Sequence, residues 1–199
     1  MIVYPGSTYL DHSSKAYSFI NNFLSDLGRT LSFSGASNFF SCQLFNMALI
    51  LTGTVFVLFF IQLKNVFQGT RRMKILSIIG SVFGILGGFC LAGVGLTPSD
   101  LYLDLHIIFA NWLFRFFFPT AFCYSLVIYI SAEFKNKYAL GYLVFSISIL
   151  AYIFISELGP NPKISQFALT LQVVSQKIIL IIFMAAIYIQ TIGLKRLQQ

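Results

Sequence analysis

Residues 75–96 read ILSIIGSVFGILGGFCLAGVGL, an apolar run without one charged side chain. As a helix rising about 1.5 Å per residue it reaches about 33 Å, enough to cross the hydrocarbon layer of a bilayer. Gly80, Gly84, Gly88 and Ala92 recur in it every four residues. Such a stripe of small side chains lets a neighbouring helix approach closely, so this run predicts the central packing helix of a bundle. A phosphate-binding reading of the glycines fails because no strand precedes them.

Four more runs meet the same length requirement: Phe39–Leu63, Leu105–Ile130, Tyr138–Ile155 and Ile164–Ile192. The fourth run in chain order is the shortest and the last the longest, which predicts tilt or an extramembrane turn in the last. The composition agrees. Of 199 residues 57 % are apolar and 10 % charged, and the mean hydropathy is +0.82. A soluble domain of this length needs a more polar surface. The expected fold is therefore all-α: one domain, a polytopic bundle of about five spanning helices. Twenty-three Phe and ten Tyr suit helices that meet lipid tails and headgroups.

The net charge of +7 does not make a nucleic-acid surface, because the cations sit in short segments between apolar runs. Lys64, Arg71, Arg72, Lys74, Lys135, Lys137, Lys195 and Arg196 fall on one side of the membrane, against Lys15, Arg29 and Lys163 on the other. The positive-inside rule then predicts a multi-pass protein of the cell membrane with its N-terminus outside and its C-terminus in the cytoplasm. Asp11, Asp26, Asp100, Asp104, Glu157, His12 and His106 lie on the outer side, with Glu133 inside. Cys42, Cys90 and Cys123 fall in apolar runs without C-x-x-C spacing and read as small core residues. No signal peptide is expected, since Met1 opens nearly forty rather polar residues.

Within that opening segment, Tyr17, Ile20, Phe23, Leu24 and Leu27 recur at helical spacing. They predict an amphipathic helix lying on the outer surface, ended by Gly28 and followed by a polar loop over 29–38. The chain thus divides into an outer segment (1–38), five spanning helices (39–192) and a cytoplasmic tail (193–199).

Tyr4-Pro5-Gly6, the run Asn22–Gly28, and Gly95-Leu-Thr-Pro-Ser-Asp100 followed by His106 resemble the DUF 998 family of small polytopic membrane proteins, whose function is unknown. That group is itself distantly similar to the DRAM/Frag-like membrane proteins. The resemblance implies a six-helix bundle whose first helix ends just before Tyr4, so either a first helix is missing from this chain or the chain works with one helix fewer. It implies no activity.

Three groups of residues can carry chemistry. Ser25-Asp26-Leu27-Gly28 is echoed by Ser156-Glu157-Leu158-Gly159. Both fit capping and turn chemistry, or two acids facing one another across an outer cavity. Around the third span, Thr97 or Ser99 can cap the helix and Asp100 suits its dipole. Asp100, Asp104, Asn111 and Arg115 then fall within about 60° of one another on the helical wheel, while His106 points about 120° from Asp100.

Arg115 and Lys177 form the third group. By helical rise they lie about 16 Å below Asp104 and about 19 Å below the start of the last span. No acid of the five runs shares that depth. Either the long side chains reach Asp104, helix carbonyls or Asn46, Asn111, Gln172 and Gln176, or they line a water-filled chamber that accepts an anionic group. No metal site is expected, since the two histidines form no H-x-x-x-H pair. The sequence names no cofactor.

The favoured reading is a non-enzymatic membrane protein that binds a lipid headgroup or small anion in an outward polar cavity, through Ser25, Asp104, Asn111, Arg115, Glu157 and Lys177. A membrane-embedded hydrolase or transferase acting on lipid-linked substrate is the alternative. There Asp26 and Asp100 would serve as acid/base groups or metal ligands, His106 as proton shuttle and Arg115 with Lys177 as anion clamp. A small transporter subunit is a third, in which a homo-oligomer makes up the helix number.

Overall fold

The computed structural model describes residues 1–197. The end of the expected tail, Gln198 and Gln199, lies outside the described residues, as do the side chains of Leu194, Arg196 and Leu197. Five helices follow in order: α1 Phe39–Leu63, α2 Arg71–Leu96, α3 Leu103–Ile130, α4 Asn136–Leu158 and α5 Gln166–Leu197. Each is long and apolar enough to cross a membrane. No regular strand occurs among the described residues. The protein is a multi-pass membrane protein.

Short connections force consecutive helices to run antiparallel, and each packs on the next in chain order. One end of the bundle carries the N-terminal segment (the capped face); the other carries the connections 64–70 and 131–135 (the basic face). The α2 helix starts a turn before its apolar run because the Thr70 hydroxyl accepts the Met73 N–H at 3.2 Å and caps it.

The glycines of α2 serve two neighbours. A Cβ on Gly80 would meet Cys123 and Tyr124 of α3, whereas Gly84 faces the Phe60 ring and Gly88 the backbone of Gly53, both on α1. The stripe therefore drifts from one neighbour to the other, and α2 is held between α1 and α3 as its small residues predict. Many phenylalanines turn inward instead of meeting lipid. The Phe183 ring of α5 packs on Phe56, Phe117 and Phe145 at 5.3, 5.2 and 5.0 Å between centroids. These contacts close the basic half of the gap between the first and last helices.

The N-terminal segment departs from the expected amphipathic helix. Only Leu24–Gly28 is helical, as one 3-10 turn. Polar side chains outcompete the helix for the backbone here. Asn22 Oδ1 accepts the Ser18 N–H at 2.9 Å, its amide donates to the Ser7 carbonyl at 2.9 Å, and the Tyr17 hydroxyl donates to the carbonyls of Asn22 and Phe23. Gly6, with φ of +101°, lets the chain fold back, and Ser14 backbone fills the space a Cβ would need. The apolar residues consequently share no face: Leu27 is buried while Phe19 and Ile20 are exposed.

Candidate functional site

The segment 17–31 is threaded into the mouth of the bundle, and six helix-borne side chains fix its depth. On α5, Gln166 and Thr170 both donate to Asn21 Oδ1, and Gln176 Oε1 accepts the Leu24 N–H at 3.0 Å. One residue on, Lys177 Nζ donates to the Asn22 carbonyl at 2.6 Å. Gln166 and Lys177 are about 16 Å apart along the axis, so the segment runs down beside α5 for that distance. On α1, Asn46 donates to the Gly28 carbonyl at 3.0 Å and Ser41 to the Leu27 carbonyl at 3.0 Å. The segment thus plugs the capped half of the gap between α1 and α5.

Lys177 is 3 % exposed. Beyond the Asn22 carbonyl its ammonium meets the rings of Phe19 at 4.9 Å and Tyr17 at 5.5 Å. The opposing charge it faces is Asp26, on the plug, without a direct ion pair between them. Asp26 is itself buried and accepts the Asn22 amide at 3.0 Å. Burial pushes its carboxyl up to about 6, against the opposing pull of the Asn22 amide and of the Arg29 and Lys177 charges.

A carboxyl raised above its unfolded value holds a proton in the folded state that the unfolded chain has lost. Its contribution to stability is present at acid pH, falls as pH rises from about 4 to about 6, and is flat above. The expected size is on the order of 2–3 kcal/mol. Hydrogen-exchange protection of residues 17–31 in detergent, corrected for the intrinsic pH dependence of amide exchange, should therefore fall between about pH 4 and 6. Asp26→Asn should flatten that dependence; a variant as pH-dependent as the parent would exclude Asp26 as its source.

Arg115 finds its partner elsewhere. Its Nη2 donates to Glu157 Oε1 at 2.5 Å, with the side chains 34 % and 42 % exposed. The partner is thus Glu157, where the sequence had offered Asp104, helix carbonyls, buried amides or a bound anion. From the basic face, Arg115 stands about 22 Å up α3 and Glu157 about 32 Å up α4, and two extended side chains span the difference. Pro119, inside α3, has no N–H for the Arg115 carbonyl four residues earlier, which loosens the helix at this level. The guanidinium also lies 5.5 Å from the exposed Trp112 ring.

The two cations consequently do not line one chamber. Lys177 faces the plug, whereas Arg115 lies in a partly exposed contact between α3 and α4. A cavity of about 20 Å³ lies between α1, α3, α4 and α5 among Phe56, Phe117, Phe145 and Phe183, with room for a water-sized group only.

The other candidates are tied down separately. Asp100 accepts both the N–H and the hydroxyl of Thr30 and the Leu31 N–H at 2.9 Å. Burial raises its carboxyl, but these donors outweigh that and hold it below the usual carboxylate range. His106 is buried, and its Nδ1 lies 2.7 Å from the Thr97 carbonyl, to which the N–H donates. Asp104 and Asn111 are exposed, and Ser25 is half-buried. Among the described residues no three His, Cys, Asp or Glu are grouped as metal ligands.

Sequence reasoning missed Asn22, Thr30 and Trp112. Asn22 stands four residues before Asp26, a spacing that a helix would also satisfy, so its role in stopping that helix was hidden.

The family model described as the Frag1/DRAM/Sfk1/Cwh43P N-terminal domain matches residues 25–195. No curated protein and no solved structure matches the chain. The match bears out the DRAM/Frag-like side of the resemblance read from the sequence and gives the DUF 998 assignment no support. The short motifs behind that assignment are turns: Tyr4-Pro5-Gly6 falls outside the matched residues, and Thr97–Asp100 joins α2 to α3. Turn residues of this kind recur wherever the same bend is needed.

Proposed function

This chain belongs to the Frag1/DRAM/Sfk1/Cwh43P N-terminal domain family of membrane proteins, and we propose that it is a non-enzymatic lipid-binding member whose site is the Arg115–Glu157 pair. The carrying observation is that a complementary ion pair stands part-exposed on the side of a membrane bundle. A charged pair in contact with lipid is costly unless polar groups answer it. Arg115 uses one of its five N–H donors on Glu157 among the described residues, and one Glu157 oxygen has no donor there.

That arrangement suits a zwitterionic phospholipid. The headgroup phosphate accepts from the remaining guanidinium donors, and the headgroup amine donates to the second carboxylate oxygen. Exposed Trp112 lies against the guanidinium, and Phe154 and Leu158, exposed on the helix that carries Glu157, add the apolar surface that acyl chains need. The acids and the histidine of the catalytic alternative are each engaged in tying the cap or a turn, which supports the non-enzymatic reading.

The test is lipid retained by the purified protein, read by native mass spectrometry after exchange from mixed micelles. Phosphatidylethanolamine should be enriched over phosphatidylglycerol, and Arg115→Gln should reduce its retention about tenfold, the loss of one charged hydrogen bond. Equal retention of both lipids, or a variant that binds like the parent, rejects the reading.

A further inference from the structure

The basic face is more than two separate loops. Phe67, in the connection between α1 and α2, stacks on Phe134, in the connection between α3 and α4, at 5.3 Å and 28°. Both rings are buried. Tyr124 packs on Phe67 at 5.8 Å, and Tyr138 meets Phe134 edge-on at 6.5 Å. An aromatic clamp therefore joins the two connections into one platform.

The platform carries six cations: Lys64, Arg71, Arg72 and Lys74 from the first connection and helix start, Lys135 and Lys137 from the second. All but Lys64, which is half-buried, are exposed. Glu133 is the one acid of these two stretches, and none of the six forms an ion pair among the described residues. Arg71, Arg72, Lys74 and Lys137 occupy first turns of α2 and α4, where cations oppose the helix dipole. Their placement costs the helices stability, and no ion pair among the described residues offsets it.

We propose that this platform is a binding surface for anionic phospholipid headgroups of the leaflet in which the basic ends of the helices lie. Charge complementarity names the partner's sign, and position names its source. The cations stand at the ends of membrane-spanning helices, within reach of headgroup phosphates, where clustered Lys and Arg attract acidic lipid. Because the clamp fixes both connections, the six charges act on one patch of membrane instead of diffusely.

Purified protein in phosphatidylcholine nanodiscs doped with a phosphatidylinositol bisphosphate tests this, since both faces are open and insertion is already complete. The doped lipid should be retained over phosphatidylcholine, and the preference should weaken as salt rises. Arg71→Gln with Arg72→Gln should lower it about tenfold. Phe134→Ala keeps every charge but unlinks the connections, and should lower it severalfold while helix content by circular dichroism is unchanged. Lys163→Gln, which removes an exposed cation from the capped face, should leave it intact. Retention unaffected by the double arginine variant, or by salt, overturns the proposal. So does a Phe134→Ala protein that binds like the parent, which would reduce the cations to topology signals.

Discussion

Lys177→Met loosens the plug: residues 17–31 exchange their amide hydrogens faster than in the parent, and thermal stability in detergent falls by about 3 kcal/mol. Methionine keeps the length and apolar stem of lysine but donates nothing. The Asn22 carbonyl loses its 2.6 Å partner, the rings of Phe19 and Tyr17 lose their cation, and buried Asp26 loses its countercharge. A hydrogen bond to a charged group contributes about 1.5–3 kcal/mol, and stranding a buried charge adds to the loss. The pH dependence separates this cause from simple repacking. Below about pH 6 Asp26 is protonated and needs no counterion, so the difference between variant and parent should shrink. An undiminished difference at pH 5 would show that the lost cation was not what mattered to Asp26.

Gly53→Val drives α1 off α2 and costs about 3 kcal/mol or more. A Cβ at Gly53 would stand 2.5 Å from the Gly88 carbonyl oxygen and 2.7 Å from the Ala92 nitrogen. Both are backbone atoms, which cannot rotate aside as a side-chain tip can, so the helix itself must move. Overpacking of a tight interface typically costs about 1–3 kcal/mol, and more where the backbone is the obstacle. In a bilayer close approach is most of what joins two helices, because lipid tails solvate apolar side chains as well as a neighbouring helix does. Gly69→Ala is the control, since its nearest neighbour is the flexible Met73 sulfur at 3.5 Å. Unfolding in graded sodium dodecyl sulfate should rank Gly53→Val far below the parent and Gly69→Ala beside it. Equal stability of the two variants would mean that α1 and α2 are not held by this contact.

How much of this was legible in the amino acids follows from the range of each interaction. Residues 75–96 alone imply a spanning helix, because backbone hydrogen bonds in oil must be met within the segment and hydropathy over some twenty residues is a local property. The five spans, their antiparallel order and the gathering of cations at one end follow by the same reasoning, and α1 begins and ends at the predicted residues Phe39 and Leu63. The small-residue stripe was legible too, although its division between α1 and α3 was not. What happens at residues 17–28 depended on contacts far along the chain. Their apolar spacing fits a helix, yet Gln176 and Lys177, more than 150 residues away, claim the Leu24 N–H and the Asn22 carbonyl. The pairing of Arg115 with Glu157 is of the same kind. Helical rise sets the height of each Cα, but the reach of two side chains across neighbouring helices decides which charges meet. Local physics therefore dictated the spans and the charge at their ends. Only packing in three dimensions settled which acid answers which cation, because a Coulomb contact depends on a separation that no sequence interval encodes.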